Sequence, residues 1–168
     1  MQITDAPNRI AVCINRANLS CETVKKTGIM NVCPLSEKTP FSFFENFGMK
    51  SGRDTDKFAG MEVKRTENSL IYEEKYSNAV MSLKVENSID FESHTMFICT
   101  IEEAQNLSDE ATATYDYYHK NIKPKPNAQA KKGYVCTICG FVYEGDPIPE
   151  DYVCPLCQHG AEYFEPIA

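Results

Sequence analysis

Four cysteines near the C-terminal end place the strongest constraint on what this chain can fold into. They form two Cys-x-x-Cys pairs, Cys136/Cys139 and Cys154/Cys157, with 14 residues between the pairs. Four thiolates at this spacing suit one tetrahedral metal ion, and an all-sulfur site holds zinc or iron. Disulfide pairing is the alternative, and it is disfavoured because the N-terminal residues show no signal-peptide pattern.

The residues around these cysteines favour iron over zinc, although ligand type alone leaves both metals open. Gly140 follows the first pair, where the missing Cβ lets backbone N–H groups turn towards the sulfur atoms. Residues 134–168 are also rich in aromatic side chains, which we expect to pack around the metal because so short a segment needs a shell to fold. They are Tyr134, Phe141, Tyr143, Tyr152, Tyr163 and Phe164.

The stretch C-T-I-C-G-F-V-Y-E-G, followed by P-E-D-Y-V-C-P-L-C, resembles the short rubredoxin domain found at the C-terminus of rubrerythrins. The resemblance implies one iron atom with four cysteine ligands that cycles between the ferric and ferrous states. One residue departs from the pattern, because Gln158 follows the second pair where free-standing rubredoxins usually have glycine.

Charge is distributed unevenly along the chain. Residues 134–168 contain six acidic residues and neither Lys nor Arg, whereas the preceding residues are almost balanced. An acidic lobe around a redox metal favours steering towards a basic patch on a partner protein, and solubility is the simpler alternative. Nucleic acid is disfavoured as a partner of such a lobe.

Residues 1–122 are predicted to form a mainly β domain, which a linker at 123–133 connects to the metal domain at 134–168. Short apolar or alternating runs predict strands at 9–15, 29–35, 61–65, 70–74, 79–89 and 94–104. Short helices are expected to begin at Ser20 and Thr39 and to end at Gly28 and Gly48, with one helical turn at 115–120. Together these elements predict a β-barrel with helical additions.

Four stretches of this domain occur in the order typical of the flavin reductase-like family. They are I-A-V-C-I-N-R-A-N-L-S-C, F-G-M-K-S-G-R-D-T-D-K-F, S-H-T-M-F-I and T-Y-D-Y-Y-H-K. Joined to the rubredoxin-like segment, they resemble the high-molecular-weight rubredoxins. The resemblance implies a split β-barrel that binds FMN and forms a homodimer.

Two features of the chain depart from the family pattern. The chain begins near the family's second or third strand, so we expect the first strand to be missing and the barrel to be partial. The stretch E-S-H-T-M-F-I-C-T-I also lacks the glycine that usually precedes His-Thr and the Gly-Glu-Val that usually follows.

The resemblance assigns flavin-binding residues in two groups, one near the flavin phosphate and ring and one in a second flavin-contacting loop. The first group is Asn15, Arg16, Asn18 and Ser20, and the second is Ser51, Gly52, Arg53, Asp54 and Lys57. His94 is expected near the flavin or nicotinamide as the catalytic candidate. The alternative is that His94 is a partly buried structural histidine on a strand.

The sequence therefore predicts an electron-transfer protein that passes electrons from NAD(P)H through FMN to iron. The family suggests a flavodiiron-type oxygen or nitric oxide reductase as the acceptor. A one-electron carrier with a flavin-free dimerisation barrel and a zinc-stabilised binding module are the alternatives. No apolar run reaches the roughly 20 residues of a membrane span, and a cytoplasmic location is predicted.

Overall fold

The computed structural model of the chain describes residues 1–124, 133–138, 140–155 and 159–167. Residues 125–132 of the predicted linker, together with Cys139, Cys157 and Gln158, lie outside the described residues. Contacts divide the chain into a sheet unit, Met1–Lys38 with Ser51–Ala113, and a cysteine unit, Thr39–Lys50 with Thr114–Ala168. These units are defined by contacts within the fold and differ from the domains predicted from the sequence. The predicted domain limits therefore stay a prediction.

A five-stranded antiparallel sheet is the main element of the sheet unit. Its strands are β1 (Gln2–Asp5), β2 (Asn8–Asn15), β3 (Ile29–Val32), β6 (Ala79–Asp90) and β7 (His94–Asn106). They lie in the order β1-β2-β7-β6-β3, so the long β6–β7 hairpin forms the centre. A separate two-stranded sheet pairs β4 (Val63–Arg65) with β5 (Ile71–Glu73).

Helix α1 (Leu19–Thr27) contributes to the core of the sheet unit. Cys21 and Val24 are three residues apart and so share one face of the helix, and both are buried in one cluster with strand residues. The full buried cluster is Ile10, Cys21, Val24, Met30, Leu83, Phe97 and Cys99. Gly28 ends the helix, as predicted, in the left-handed conformation with φ of 71°, and its N–H donates to the Val24 carbonyl at 2.8 Å.

Two elements of the sheet unit differ from the sequence prediction. The strand β1 was not predicted, because all four of its residues are exposed and it carries no alternating apolar signal. Helix α1 begins two residues earlier than expected, because Asn18 rather than Ser20 is the capping residue before its first turn. The Asn18 backbone is extended, with φ of −78° and ψ of 139°, which places Ser20 inside the helix.

Two short helices of the cysteine unit both widen into π-helical turns. Helix α2 (Phe41–Phe44) continues into the π turn Glu45–Met49, and α3 (Tyr115–Tyr117) continues into the π turn Tyr118–Ile122. Gly48 was predicted to end the first of these helices, but it lies within the π turn. The rings of Phe44 and Tyr118 approach to 4.7 Å between centroids and so connect the two helices.

A small antiparallel sheet of this unit includes Cys136. It consists of β8 (Tyr134–Cys136), β9 (Val142–Tyr143) and β10 (Phe164–Pro166) in the order β10-β8-β9. The predicted fold class, mainly β with short helices and a small C-terminal domain, is confirmed. In the part of the chain that the structure describes, no helix is long and apolar enough to cross a membrane.

Two phenylalanines of the β6–β7 hairpin region allow a matched test of the core. Phe97 is 1% exposed, whereas Phe91, in the turn, is 46% exposed. We expect Phe97→Ala to lower the free energy of unfolding by about 3–5 kcal/mol, because it leaves a cavity in the buried cluster. Phe91→Ala should lower the free energy of unfolding far less. Urea unfolding followed by circular dichroism measures the stability of both variants. Equal losses from the two substitutions would contradict this assignment of the core.

Candidate metal centre and flavin site

Cys136 and Cys154 are the first members of the two Cys-x-x-Cys pairs, and both are buried. Their exposed fractions are 1% and 0%. The N–H of Cys136 donates to the Phe141 carbonyl at 2.8 Å, and the N–H of Cys154 donates to the His159 carbonyl at 2.8 Å. In both cases the acceptor lies five residues further along the chain. The two cysteines therefore begin loops that close with the same hydrogen bond.

Local features of the sequence explain each of these loops. Cys136 ends strand β8, where it pairs with Phe164 of β10. Gly140 then turns the chain back with φ of +83°, a conformation that favours glycine, and its N–H donates to the Cys136 carbonyl at 2.8 Å. Around Cys154, an isolated bridge between Val153 and Gly160 closes the second loop.

The buried thiols are enclosed by a shell of apolar and aromatic side chains, as the sequence predicted. Cys136, Cys154 and Phe164 form the buried cluster. The residues packed against it are Met49, Tyr134, Phe141, Tyr143, Ile148 and Tyr152. Met49 was not foreseen, since it lies far upstream and nothing in its local sequence points to the cysteines. Tyr163 was expected in the shell but is 40% exposed.

The aromatic residues of this shell contact one another directly. The Tyr152 ring lies 4.5 Å from that of Tyr143 and 5.4 Å from that of Phe164, between centroids. Burial raises the pKa of the Tyr152 hydroxyl, and the charges of Cys154 and Tyr143 raise it further. A raised pKa favours the neutral hydroxyl, which suits an apolar shell.

These observations fit a metal held by sulfur. Two buried thiols, each at the start of a loop closed by the same hydrogen bond, could supply two of the four ligands of a tetrahedral site. The other two proposed ligands, Cys139 and Cys157, lie outside the described residues. Residues 133–138, 140–155 and 159–167 hold no other group of metal-binding side chains that competes for this role. The four-cysteine iron site expected from the sequence stays a prediction.

The first group of predicted flavin residues lies where β2 ends and α1 begins. Asn15 is the last residue of β2 and pairs with His94, the first residue of β7. The Arg16 N–H donates to the Ser93 carbonyl at 2.9 Å. Asn18 immediately precedes α1. The fold thus brings three of the predicted residues and His94 to one end of the β2–β7 pair.

His94 is exposed rather than partly buried, contrary to the structural alternative for this residue. Its Nδ1 lies 2.8 Å from the Ser93 hydroxyl oxygen. This contact orients the imidazole ring through Nδ1, and Nε2 is the ring nitrogen that it does not use.

The second predicted group, Ser51–Lys57, forms a loop that passes close to the first turn of α1. A Cβ added at Gly52 would lie 3.3 Å from Cδ2 of Leu19, the first residue of the helix. The Ser51 hydroxyl accepts the Arg53 N–H at 3.1 Å, which folds the loop back on itself. Burial lowers the pKa of Lys57 below its ordinary value. The two predicted groups therefore meet at the N-terminal end of α1.

Glu22 is a residue of this region that the sequence reasoning missed. It lies in the first turn of α1, and its carboxylate accepts a hydrogen bond from Arg53 Nη2 at 2.8 Å. A helix N-terminus with nearby hydroxyl, guanidinium and ammonium groups fits a flavin phosphate. Glu22 opposes that fit because a phosphate has to compete with its carboxylate for Arg53. Only the folded loop brings these two residues together, since they are 31 positions apart.

Comparisons with known proteins match two parts of the chain to two different families. The family described as "Flavin reductase like domain" matches residues 1–125, and the family described as "Rubrerythrin, rubredoxin-like domain" matches residues 134–165. The high molecular weight rubredoxin of Moorella thermoacetica is 34% identical over 196 residues, which cover 99% of this chain and 86% of that protein. The ferric-chelate reductase (NAD(P)H) of Archaeoglobus fulgidus is 33% identical over 124 residues, covering 74% of this chain and 73% of that protein.

A solved structure supports the fold of the first part of the chain. The FMN-binding protein from Thermus thermophilus with bound 1-cyclohex-2-enone superimposes with a TM-score of 0.57 at 13% sequence identity. The match covers 63% of this chain, and the chain spans 58% of that protein. At this identity the likeness shows the flavin reductase-like fold alone.

The two matched families imply the two cofactors at a coarse level. The rubredoxin-like domain implies iron, and the flavin reductase-like domain implies flavin. Together they indicate electron transfer by way of a flavin. On these grounds the chain belongs to the flavin reductase-like family, and within it to the proteins that, like the high molecular weight rubredoxin of Moorella thermoacetica, add a rubredoxin-like domain.

Proposed function

We propose that this chain takes electrons from NADH or NADPH through FMN and delivers them singly from one iron to a protein acceptor. The observation that carries the proposal is the presence, in one chain, of a flavin reductase-like domain and two equivalent loops with buried cysteines. When bound, flavin converts a two-electron donor into one-electron steps, and iron held by thiolates transfers one electron at a time.

The proposed iron ligands are Cys136, Cys139, Cys154 and Cys157. The aromatic shell around Cys136 and Cys154 excludes water, and exclusion of water strengthens every charge interaction at the sulfur atoms. The shell also packs apolar side chains around a segment too short to form a large core. Its residues thereby set the surroundings in which the metal gains and loses an electron.

The proposed FMN site is the junction of the loop Ser51–Lys57 with the start of α1. Arg53 can donate two parallel hydrogen bonds to one phosphate from its planar guanidinium, a geometry that the single ammonium nitrogen of Lys57 does not offer. The N–H groups of the first helical turn add to the attraction for an anion. His94, oriented by Ser93, is proposed to contact the flavin or nicotinamide through Nε2.

The proposed acceptor is a protein of the flavodiiron type, reached through the acidic lobe. All six acidic residues of this lobe are exposed: Glu144, Asp146, Glu150, Asp151, Glu162 and Glu165. Long-range attraction between this lobe and a basic surface speeds encounter at low salt. The homodimer and the cytoplasmic location expected from the family resemblance remain part of this proposal.

Anaerobic mixing of the iron-loaded protein with NADH or NADPH tests the function directly. With FMN added, we expect the ferric–thiolate absorption to disappear at a rate that depends on the concentrations of both nucleotide and FMN. A protein that contains iron but stays oxidised with either nucleotide would exclude the nicotinamide route. It would favour the simple one-electron carrier instead.

Replacement of single cysteines tests the metal centre. We expect Cys136→Ser or Cys154→Ser to abolish the ferric–thiolate bands, because one of four sulfur ligands is lost. The cysteine unit should also become sensitive to protease, since its core is built on the metal. Cys13→Ser, at an exposed cysteine of the sheet unit, is the matched control and should change neither property. Protein that carries stoichiometric zinc and no visible absorption would refute the assignment of iron.

The ion pair between Arg53 and Glu22 leads to opposite expectations for its two members. Arg53→Ala should weaken FMN binding about tenfold or more, because a charge-assisted contact to phosphate is lost. Riboflavin, which has no phosphate, should be affected much less. Glu22→Gln should strengthen FMN binding by up to about fivefold, because exposed ion pairs are weak competitors.

Quenching of flavin fluorescence measures all of these affinities. If Arg53→Ala weakens the binding of FMN and riboflavin equally, Arg53 does not contact the flavin phosphate. If neither flavin binds the wild-type chain, the flavin-free carrier becomes the better description.

Charge reversal tests the acidic lobe. Changing Glu144, Asp146 and Glu150 to Lys should slow reduction of cytochrome c, a basic haem protein used as a probe acceptor, without altering the iron spectrum. The same rate in the wild-type protein should fall as salt rises to physiological strength. The control reverses three exposed acids of the sheet unit: Asp5, Glu62 and Glu67. If the two triple variants slow the reduction of cytochrome c equally, the effect comes from the net charge of the protein and not from the acidic lobe.

A further inference from the structure

Lys123 contacts the loop that carries the first pair of cysteines. It follows the π turn of α3, and its ammonium donates to the carbonyl oxygen of Thr137 at 2.9 Å. Thr137 is the residue directly after Cys136, within the Cys-x-x-Cys sequence itself. A half-buried lysine from outside the rubredoxin-like segment is therefore bonded to the backbone between two proposed metal ligands.

The same loop is held at further points. The N–H and the hydroxyl of Thr137 both donate to the Tyr163 carbonyl, at 2.8 and 3.0 Å. A Cβ added at Gly140 would lie 3.3 Å from the carbonyl oxygen of Pro124. Lys123 therefore bonds to the first part of the loop, and the next residue, Pro124, lies close to its last part. Tyr163 bonds to Thr137 as well.

The charge of Lys123 is unusual in its surroundings. Residues 134–168 include no Lys or Arg, and their six acidic residues make the whole lobe negative. Lys123 therefore brings a cation to a segment that has none of its own. The neighbouring lysine of the same turn, Lys120, instead pairs with Asp116 at 2.9 Å on the surface.

A cation in this position affects the two oxidation states of the proposed centre differently. Four thiolates around ferric iron carry one net negative charge, and one added electron makes that two. A nearby positive charge stabilises the more negative, reduced state more strongly, whereas the acidic side chains oppose reduction. The contact also polarises the Thr137–Ile138 peptide, whose N–H points away from its carbonyl.

We propose that Lys123 is a positioning and charge-compensating residue of the metal centre. It holds the first cysteine loop against the end of α3 and raises the reduction potential above the value that the acidic lobe alone would set. The inference rests on the proposed function, because it takes iron as the metal that changes charge.

Three variants of the full-length, iron-loaded protein separate the charge from the contact. Lys123→Gln removes the charge and keeps a hydrogen-bond donor, whereas Lys123→Arg keeps both. Lys120→Gln removes the same charge three residues away and serves as the matched control. Equilibrium redox titration, followed by the ferric–thiolate absorption, measures the potential of each protein.

We expect Lys123→Gln to have a lower potential than the wild-type protein, with a severalfold smaller equilibrium constant for reduction. Lys123→Arg should stay near the wild-type value, and Lys120→Gln should shift little. The difference between Lys123→Gln and wild type should shrink as salt is raised, since the effect is electrostatic. A wild-type potential in Lys123→Gln, or an equal shift in Lys120→Gln, would overturn the proposal.

Release of metal to a chelator gives a second readout that does not require iron. In protein reconstituted with cadmium, we expect Lys123→Gln to lose the metal severalfold faster than wild type, because the first loop is held less firmly. Lys120→Gln should lose it at the wild-type rate. Equal rates in all three proteins would overturn the positioning role. If the purified protein holds only zinc, the proposed electron transfer fails, and the release rates still decide on Lys123.

Discussion

Burial of Cys136 and Cys154 in a segment too short to form a core of its own is the constraint on which the cysteine unit depends. Cys136 lies on the small sheet, and each of the two cysteines begins a loop. The aromatic shell packs against both side chains. A buried thiolate is costly unless a cation compensates its charge. The proposed metal would supply charge compensation and part of the cohesion that apolar contacts supply in larger domains.

Much of this could be predicted from the sequence, because the determining signals are local. The Cys-x-x-Cys spacing, Gly140 and the clustered aromatic residues act within a few positions of one another, and so they indicate the loops and the shell before folding is considered. The strands that contain Ile10, Leu83 and Phe97 could likewise be predicted from their apolar patterns. In each of these cases the residues that contact one another also form a pattern along the chain.

The features that were missed depend on contacts between distant positions. Glu22 meets Arg53 only because the loop after α2 folds back onto α1, and Met49 reaches the cysteines across more than 80 positions of the chain. Strand β1 was missed for another reason, since its exposed residues pair through backbone hydrogen bonds that leave no side-chain pattern. Sequence periodicity reports burial on one element, and it carries no information on which elements meet.

The shared construction of the cysteine unit bears on how such a chain can evolve. Thr39–Lys50 and Thr114–Pro124 fall within the stretch that matches the flavin reductase-like family, yet they belong by contacts to the unit that holds the cysteines. Met49 and Lys123 contact the cysteine loops but lie outside the rubredoxin-like segment. A rubredoxin-like segment by itself therefore lacks both of these contacts. Because of these contacts, a substitution at Met49 or Lys123 affects the surroundings of the cysteines as well as the stretch that matches the flavin reductase-like family.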